Sequence, residues 1–159
     1  ATVAPTWSEN SSYASISLEQ ALDTNSFEEV LTAEVEPNLG KARPTFLTEY
    51  PAAMAALARV KPGDPRVAER FELYIDGLEL ANAFSELTDP LEQRQRFTAD
   101  EAQRRGAGKT PYPLPENFLT DLSAMPEAAG IALGLDRLVM LMSDAEKIAD
   151  VVAFTPGEL

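Results

Sequence analysis

"RFELYIDGLELANAFSEL", residues 70–87, decides the fold class. Two runs of alternating apolar and polar residues flank Asp76-Gly77, the kind of pair that suits a two-residue turn needing positive φ at both centres. The pattern predicts a β-hairpin, with antiparallel strands near 70–76 and 78–87. Such a turn pairs Ile75 with Leu78, Tyr74 with Glu79, and Glu72 with Ala81. Side chains alternate along a strand, so Glu72, Tyr74, Glu79 and Ala81 share a face. Glu72 and Glu79 are then diagonal neighbours, with Cβ atoms roughly 7 Å apart. Two unpaired carboxylates at that distance repel unless a cation lies between them. Magnesium suits the gap, with nucleotide phosphates completing its oxygen shell.

Asn82, Phe84 and Glu86 recur at spacing two farther along. Strict alternation puts them on the face opposite Glu79. If all five border one pocket, the strand needs a bulge between Glu79 and Asn82. An amide, an aromatic ring and a carboxylate side by side could receive an ammonium-bearing ligand. The plainer alternative is an amphipathic hairpin with one wet face.

Downstream, Asp89 is a candidate cap and Pro90 the first residue of a helix running to about Gly106. The Pro-rich connector "KTPYPLPE" leads to a short helix around "NFLTDLSAM". "GIALG" (130–134) suits a strand and "LDRLVML" a helix. A further helix is expected over "SDAEKIADVV", capped near Ser143 or Asp144, and a last strand over "VVAFT". Upstream, Ser17 could cap a helix from Leu18, and Asn25 or Ser26 one through "FEEVLTAEV". "EPNLGKARP" is a loop, "TFLTEYP" a short strand closed by Pro51, and "AAMAALARV" a helical turn or two before "KPGDP". Residues 1–14 are polar and aperiodic, a loose lead-in. Strands and helices interspersed around a hairpin make the class α+β.

The chain has 159 residues, enough for one domain with a core. It contains no cysteine and no histidine, which removes disulfides, thiolate catalysis, Ser-His-Asp machinery and the usual transition-metal sites. A metal would sit on carboxylates. The net charge of −13 speaks against a broad phosphate-gripping surface, and Arg94, Arg96, Arg104, Arg105 and Lys109 suit a solvated helix face. No apolar stretch is long enough to span a membrane and no secretory leader is visible, so a cytoplasmic protein is expected.

"GIALGLDRLVML" (130–141) places Asp136-Arg137 where a strand hands over to a helix. Small residues could admit a ligand to the backbone, with Arg137 presenting its guanidinium to a phosphate or an adenine ring. Alternatively the strand is simply buried and Asp136-Arg137 is a surface ion pair.

Together, "RFELYIDGLELANAFSELTDPLEQRQRF", "GIALGLDRLVML" and "PTFLTEYP" resemble the C-terminal half of a class II lysyl-tRNA synthetase catalytic domain. "VEPNLGKARPTF", "RVAERFE", "ELANAFSELTD" and "ADVVAFT" bring the resemblance closer to a bacterial offshoot that joins a lysine-type amino acid to elongation factor P. It covers about residues 35–156. It implies part of a class II catalytic core, a mainly antiparallel sheet flanked by helices, within a homodimeric parent enzyme. It implies ATP and Mg2+ as cofactors, lysine or β-lysine as substrate, elongation factor P as acceptor, and no role for tRNA. Matched position by position, it implies that Glu72 and Glu79 hold ATP through magnesium. Leu80 and Gly134 would contact the nucleotide by their backbone, and Arg137 its adenine and phosphates. Asn82, Phe84, Glu86 and Ala132 would surround the amino acid, with Glu86 as the ammonium partner. Ala132 stands where lysyl-tRNA synthetases usually carry glycine, and Ala83 where the family usually does.

The family's first and second motifs are not among the matched residues. The second supplies an arginine at the α-phosphate, so the chain is expected to hold half a site and to be inactive alone. A non-catalytic truncated paralogue binding nucleotide, amino acid or a partner protein is the alternative, and a lysyl-tRNA synthetase fragment another.

Overall fold

The computed structural model describes residues 2–3, 18–23 and 26–155. The strands are β1 (Thr2–Val3), β2 (Thr45–Thr48), β3 (Arg70–Ile75), β4 (Leu78–Ser85) and β5 (Ala129–Leu133). The helices are α1 (Leu18–Asp23), α2 (Ser26–Val30), α3 (Pro90–Gly106), α4 (Glu116–Leu122) and α5 (Leu135–Ser143). The strands form one sheet in the order β1-β2-β3-β4-β5. β1 runs parallel to β2, and β2 antiparallel to β3 with Leu47 opposite Glu72. The expected α+β class and mainly antiparallel sheet with flanking helices are what the chain forms.

Contacts divide the chain into two compact units: residues 1–50, 71–83 and 131–159, and residues 51–70 and 84–130. In the first, Tyr50, Tyr74, Leu47, Leu80, Ala81 and Ala83 are buried. The hairpin turn is as the sequence demands: Asp76 has φ 53° and Gly77 φ 76°. The loop before β2 clamps its tip. Gly40 O accepts from Asp76 N at 3.0 Å, Leu39 O accepts from Gly77 N at 2.7 Å, and Lys41 Nζ donates to Asp76 Oδ1 at 2.9 Å. Gly40, with φ +74°, lies so close that a Cβ there would meet the Tyr74 carbonyl oxygen at 2.5 Å.

In the second unit, Ala55, Ala58 and Ala68 form a buried cluster against which Phe84 packs. Residues 57–60 run beside the end of β4: Arg59 N donates to Ser85 O at 2.8 Å, and Leu87 N to Leu57 O at 2.9 Å. α3 is capped by Asp89, whose Oδ1 accepts from Leu91 N at 2.8 Å and Glu92 N at 3.2 Å. The basic residues of α3 are mostly engaged within the unit: Arg94 with Glu116, Arg105 with Glu101, and Arg96 with Glu92 and the carbonyls of Ala56 and Ala58.

Four expectations change. Thr2–Val3, inside the supposed loose lead-in, pairs with Phe46–Leu47. "AAMAALARV" makes only the single 3-10 turn Ala52–Met54, after which Ala58 and Val60 bridge to Glu86 and Ala68. The helix expected from Ser143 shrinks to Ile148–Asp150. Asp144 adopts a left-handed conformation with φ 57°, and Ser143 Oγ donates back to Val139 O at 2.7 Å, so both close α5 instead of opening a new helix. Residues 151–155 form no strand, because Val and Phe favour a strand only where a neighbour offers a ladder. The expected caps Ser17 and Asn25 lie outside the described residues.

Candidate active site

The pairing along β4 contains the bulge expected between Glu79 and Asn82. At the turn, Ile75 faces Leu78, so paired residue numbers sum to 153. Farther along, Ser85 N donates to Glu69 O at 3.0 Å, where the sum is 154. β4 has gained one residue. Asn82 Nδ2 donates to Glu72 Oε1 at 3.2 Å, which puts Asn82, not Ala81, across from Glu72. The extra residue therefore falls between Glu79 and Asn82, at the adjacent buried pair Leu80 and Ala81. It swings Asn82 onto the face that carries Glu72 and Tyr74.

Glu72 is 6% exposed and its carboxylate is held from three sides. Oε2 accepts from Tyr50 Oη at 2.5 Å and from Tyr74 Oη at 2.6 Å, while Oε1 accepts from Asn82. Both tyrosines are 1% exposed. Burial and the neighbouring carboxylate push the Tyr74 phenol well above its ordinary value. No sequence signal pointed to Tyr50, 22 residues away from its partner. Tyr74 could have been found, because it sits two positions from Glu72 on the same face.

Glu79 is also not left bare. Arg137 Nη1, from the first turn of α5, donates to Glu79 O at 2.8 Å and to Glu79 Oε2 at 3.2 Å. The cation beside Glu79 is thus a guanidinium, and Arg137 pairs with Glu79 rather than Asp136. The two side chains are 44% and 34% exposed, so the pair is worth at most about 1 kcal/mol. Gly134 N donates to Leu80 O at 2.8 Å, which joins the bulge to the start of α5. Glu72, Glu79, Leu80, Gly134 and Arg137 therefore belong to one compact unit. Among the described residues, no group of three or more acidic, histidine or cysteine side chains is arranged to hold a metal. As arranged, both oxygens of Glu72 accept hydrogen bonds and Glu79 is paired with Arg137, so both carboxylates already have partners within the protein.

β5 pairs with β4 in an antiparallel register. Glu86 N donates to Ala128 O at 2.9 Å and Gly134 N to Leu80 O, both summing to 214. Asn82 is accordingly across from Ala132, and Phe84 across from Gly130. In the second unit, Phe84 rests on the alanine cluster. Glu86 is half-buried, and its carboxylate lies over Gly130, where a Cβ would come within 2.5 Å of Oε1. Among the described residues the Glu86 carboxylate has neither a hydrogen-bond donor nor an ion-pair partner. Gly130 was not singled out from the sequence, since a glycine beginning a strand carries no mark of which side chain needs its space.

A family model described as tRNA synthetases class II (D, K and N) matches residues 4–157. The chain is 56% identical over 122 residues to the Elongation factor P–(R)-β-lysine ligase of Erwinia tasmaniensis, covering 76% of this chain and 38% of that protein. It is 52% identical over 127 residues to the ligase of the same name from Salmonella gallinarum, covering 79% and 39%. The chain thus spans about two fifths of the curated relatives it matches. With nearly all of its residues accounted for by that model, the chain belongs to the class II tRNA synthetase family.

Proposed function

We propose that this chain is a C-terminal portion of the catalytic domain of a ligase that activates a lysine-type amino acid with ATP and transfers it to a lysine of elongation factor P. The relatives' names support the reaction. The observation that carries the substrate class is Glu86, a half-buried carboxylate without a protein partner among the described residues, as a receptor for a substrate ammonium would be. In the reaction, a carboxylate oxygen of the amino acid attacks the α-phosphorus of ATP and pyrophosphate leaves. The amine of the acceptor lysine then attacks the adenylate carbonyl, and AMP leaves.

Arg137 would turn from Glu79 to the nucleotide, and Gly134 and Leu80 would contact it by their backbone. Glu72 and Glu79 would hold magnesium only on giving up their present donors, and the ion would supply positive charge to the phosphates. By the resemblance, Asn82 and Ala132 in the first unit and Phe84 in the second are each further candidates for contact with the amino acid. Adenylate formation depends on fixed positive charge at the α-phosphate, which an arginine of the family's second motif supplies, whereas the resemblance of this chain is carried by the later motifs. The 159 residues alone are therefore proposed to be inactive, as part of a homodimeric, cytoplasmic parent that has no need of tRNA. Among the described residues, no helix is long and apolar enough to cross a membrane.

The test is lysine-dependent pyrophosphate exchange, run on the 159-residue chain and on a complete polypeptide that contains it. The complete protein should exchange, lose exchange with Glu86→Ala, and lysylate elongation factor P. Robust exchange by the isolated chain would overturn the half-site reading. Full exchange in Glu86→Ala would overturn the substrate reading.

A further inference from the structure

Glycine at position 130 has an ordinary strand backbone, since its φ lies outside the left-handed region. A side chain there is therefore permitted by the main chain. Among the described residues, a Cβ built at Gly130 would meet only Glu86 within 4 Å, with Oε1 at 2.5 Å and Cδ at 3.7 Å. The backbone of Glu86 cannot give way easily. Its N–H is bonded to Ala128 O, and it bridges to Ala58 on the other side. Only the outer torsions of the Glu86 side chain can relieve the contact.

We propose that Gly130 is a positioning residue for amino-acid recognition: its missing Cβ lets the Glu86 carboxylate lie back against β5, at the depth where it meets the substrate's ammonium. The inference rests on the role given to Glu86 above. A methyl at 130 forces Oε1 outward by about 1 Å to reach ordinary contact. The obstacle is the far end of a flexible side chain, so folding should tolerate the change. Recognition should not, because a hydrogen bond to a charged group is worth roughly ten- to a hundredfold in affinity and weakens when its acceptor moves by about 1 Å.

The experiment measures equilibrium binding of α-lysine and β-lysine, without ATP, to the complete polypeptide that contains this chain. Gly130→Ala should raise Kd for the preferred isomer by about ten- to a hundredfold, with the melting midpoint little changed. In a Glu86→Asp background the carboxylate is one methylene shorter and no longer reaches over residue 130. There, adding Gly130→Ala should alter Kd less than about twofold. Equal losses in the two backgrounds would overturn the proposal, and so would an unchanged Kd in Gly130→Ala. A Gly130→Ala protein that fails to fold would overturn it too, because the methyl would then be colliding with more than Glu86. Glu86→Ala separates this proposal from its premise: unchanged binding in that variant refutes the role of Glu86 itself.

Discussion

Replacing Tyr74 by phenylalanine should destabilise the protein by about 1.5–3 kcal/mol, the usual worth of a hydrogen bond to a charged group. The structure supplies each element of that figure. Tyr74 is 1% exposed and its acceptor Glu72 is 6% exposed, so water cannot replace the lost donor. The hydrogen bond is 2.6 Å long, and phenylalanine keeps the ring and leaves no cavity. Tyr50→Phe should cost a similar amount. Both phenols donate to the same oxygen, so each variant retains one donor on Oε2 while the double variant retains neither. The double loss should therefore exceed the sum of the singles, with a coupling of about 0.5–3 kcal/mol. Urea unfolding at pH 7 measures this. For an m-value of about 2 kcal/mol/M, each single variant should lower the midpoint by about 1 M at unchanged slope. Tyr74→Phe within about 0.5 kcal/mol of the parent would refute a charged, phenol-bound Glu72, since that is the scale of an ordinary surface change.

Because the Tyr74 phenol is raised above its ordinary value of 10.0, its contribution to stability is fully present below pH 10 and is lost as pH rises toward the folded value. Tyr74→Phe should flatten that alkaline loss in urea midpoints, and an equally steep loss in the variant would assign it to other groups. Hydrogen bonding to Arg59, and then to Ser85, lowers the Glu69 carboxylate below 4.5. Its contribution is present above pH 4.5 and lost as pH falls through the lowered value, so Glu69→Gln should shallow the acid arm of the stability profile. Gly40→Ala should cost about 2 kcal/mol or more in thermal or urea unfolding, since the new methyl meets the backbone of Tyr74 and Ile75 at a positive φ. A near-neutral Gly40→Ala would mean that the loop at 37–41 does not clamp the hairpin. Asp89→Ala should cost about 1 kcal/mol by uncapping α3, and no change in the melting midpoint would refute the cap.

The elements legible in the sequence were those that local chemistry dictates. Asp76-Gly77 demanded a turn with two positive φ values, Asp89-Pro90 a capped helix start, and the alternation of 70–87 two strands; each depends on residues within a few positions of one another. Even the bulge was foreseeable, because the polar residues of β4 change parity between Glu79 and Asn82. Local signals failed where a partner was needed. Residues 151–155 have strand-forming side chains but no ladder, and Asp144 could serve equally as the cap of a coming helix or the close of the preceding one. Within the site, the sequence determined which residue types lie on which strand, and the resemblance of "GIALGLDR" attached roles to them. Only tertiary structure decided their partners: Tyr50 reaching Glu72 across 22 residues, Arg137 closing on Glu79 across 58, and Gly130 leaving space for Glu86. Those contacts are set by sheet register and by the packing of buried, desolvated groups, in which the energy of a hydrogen bond depends on what surrounds it. A single chain position carries no record of that environment until the strands have met.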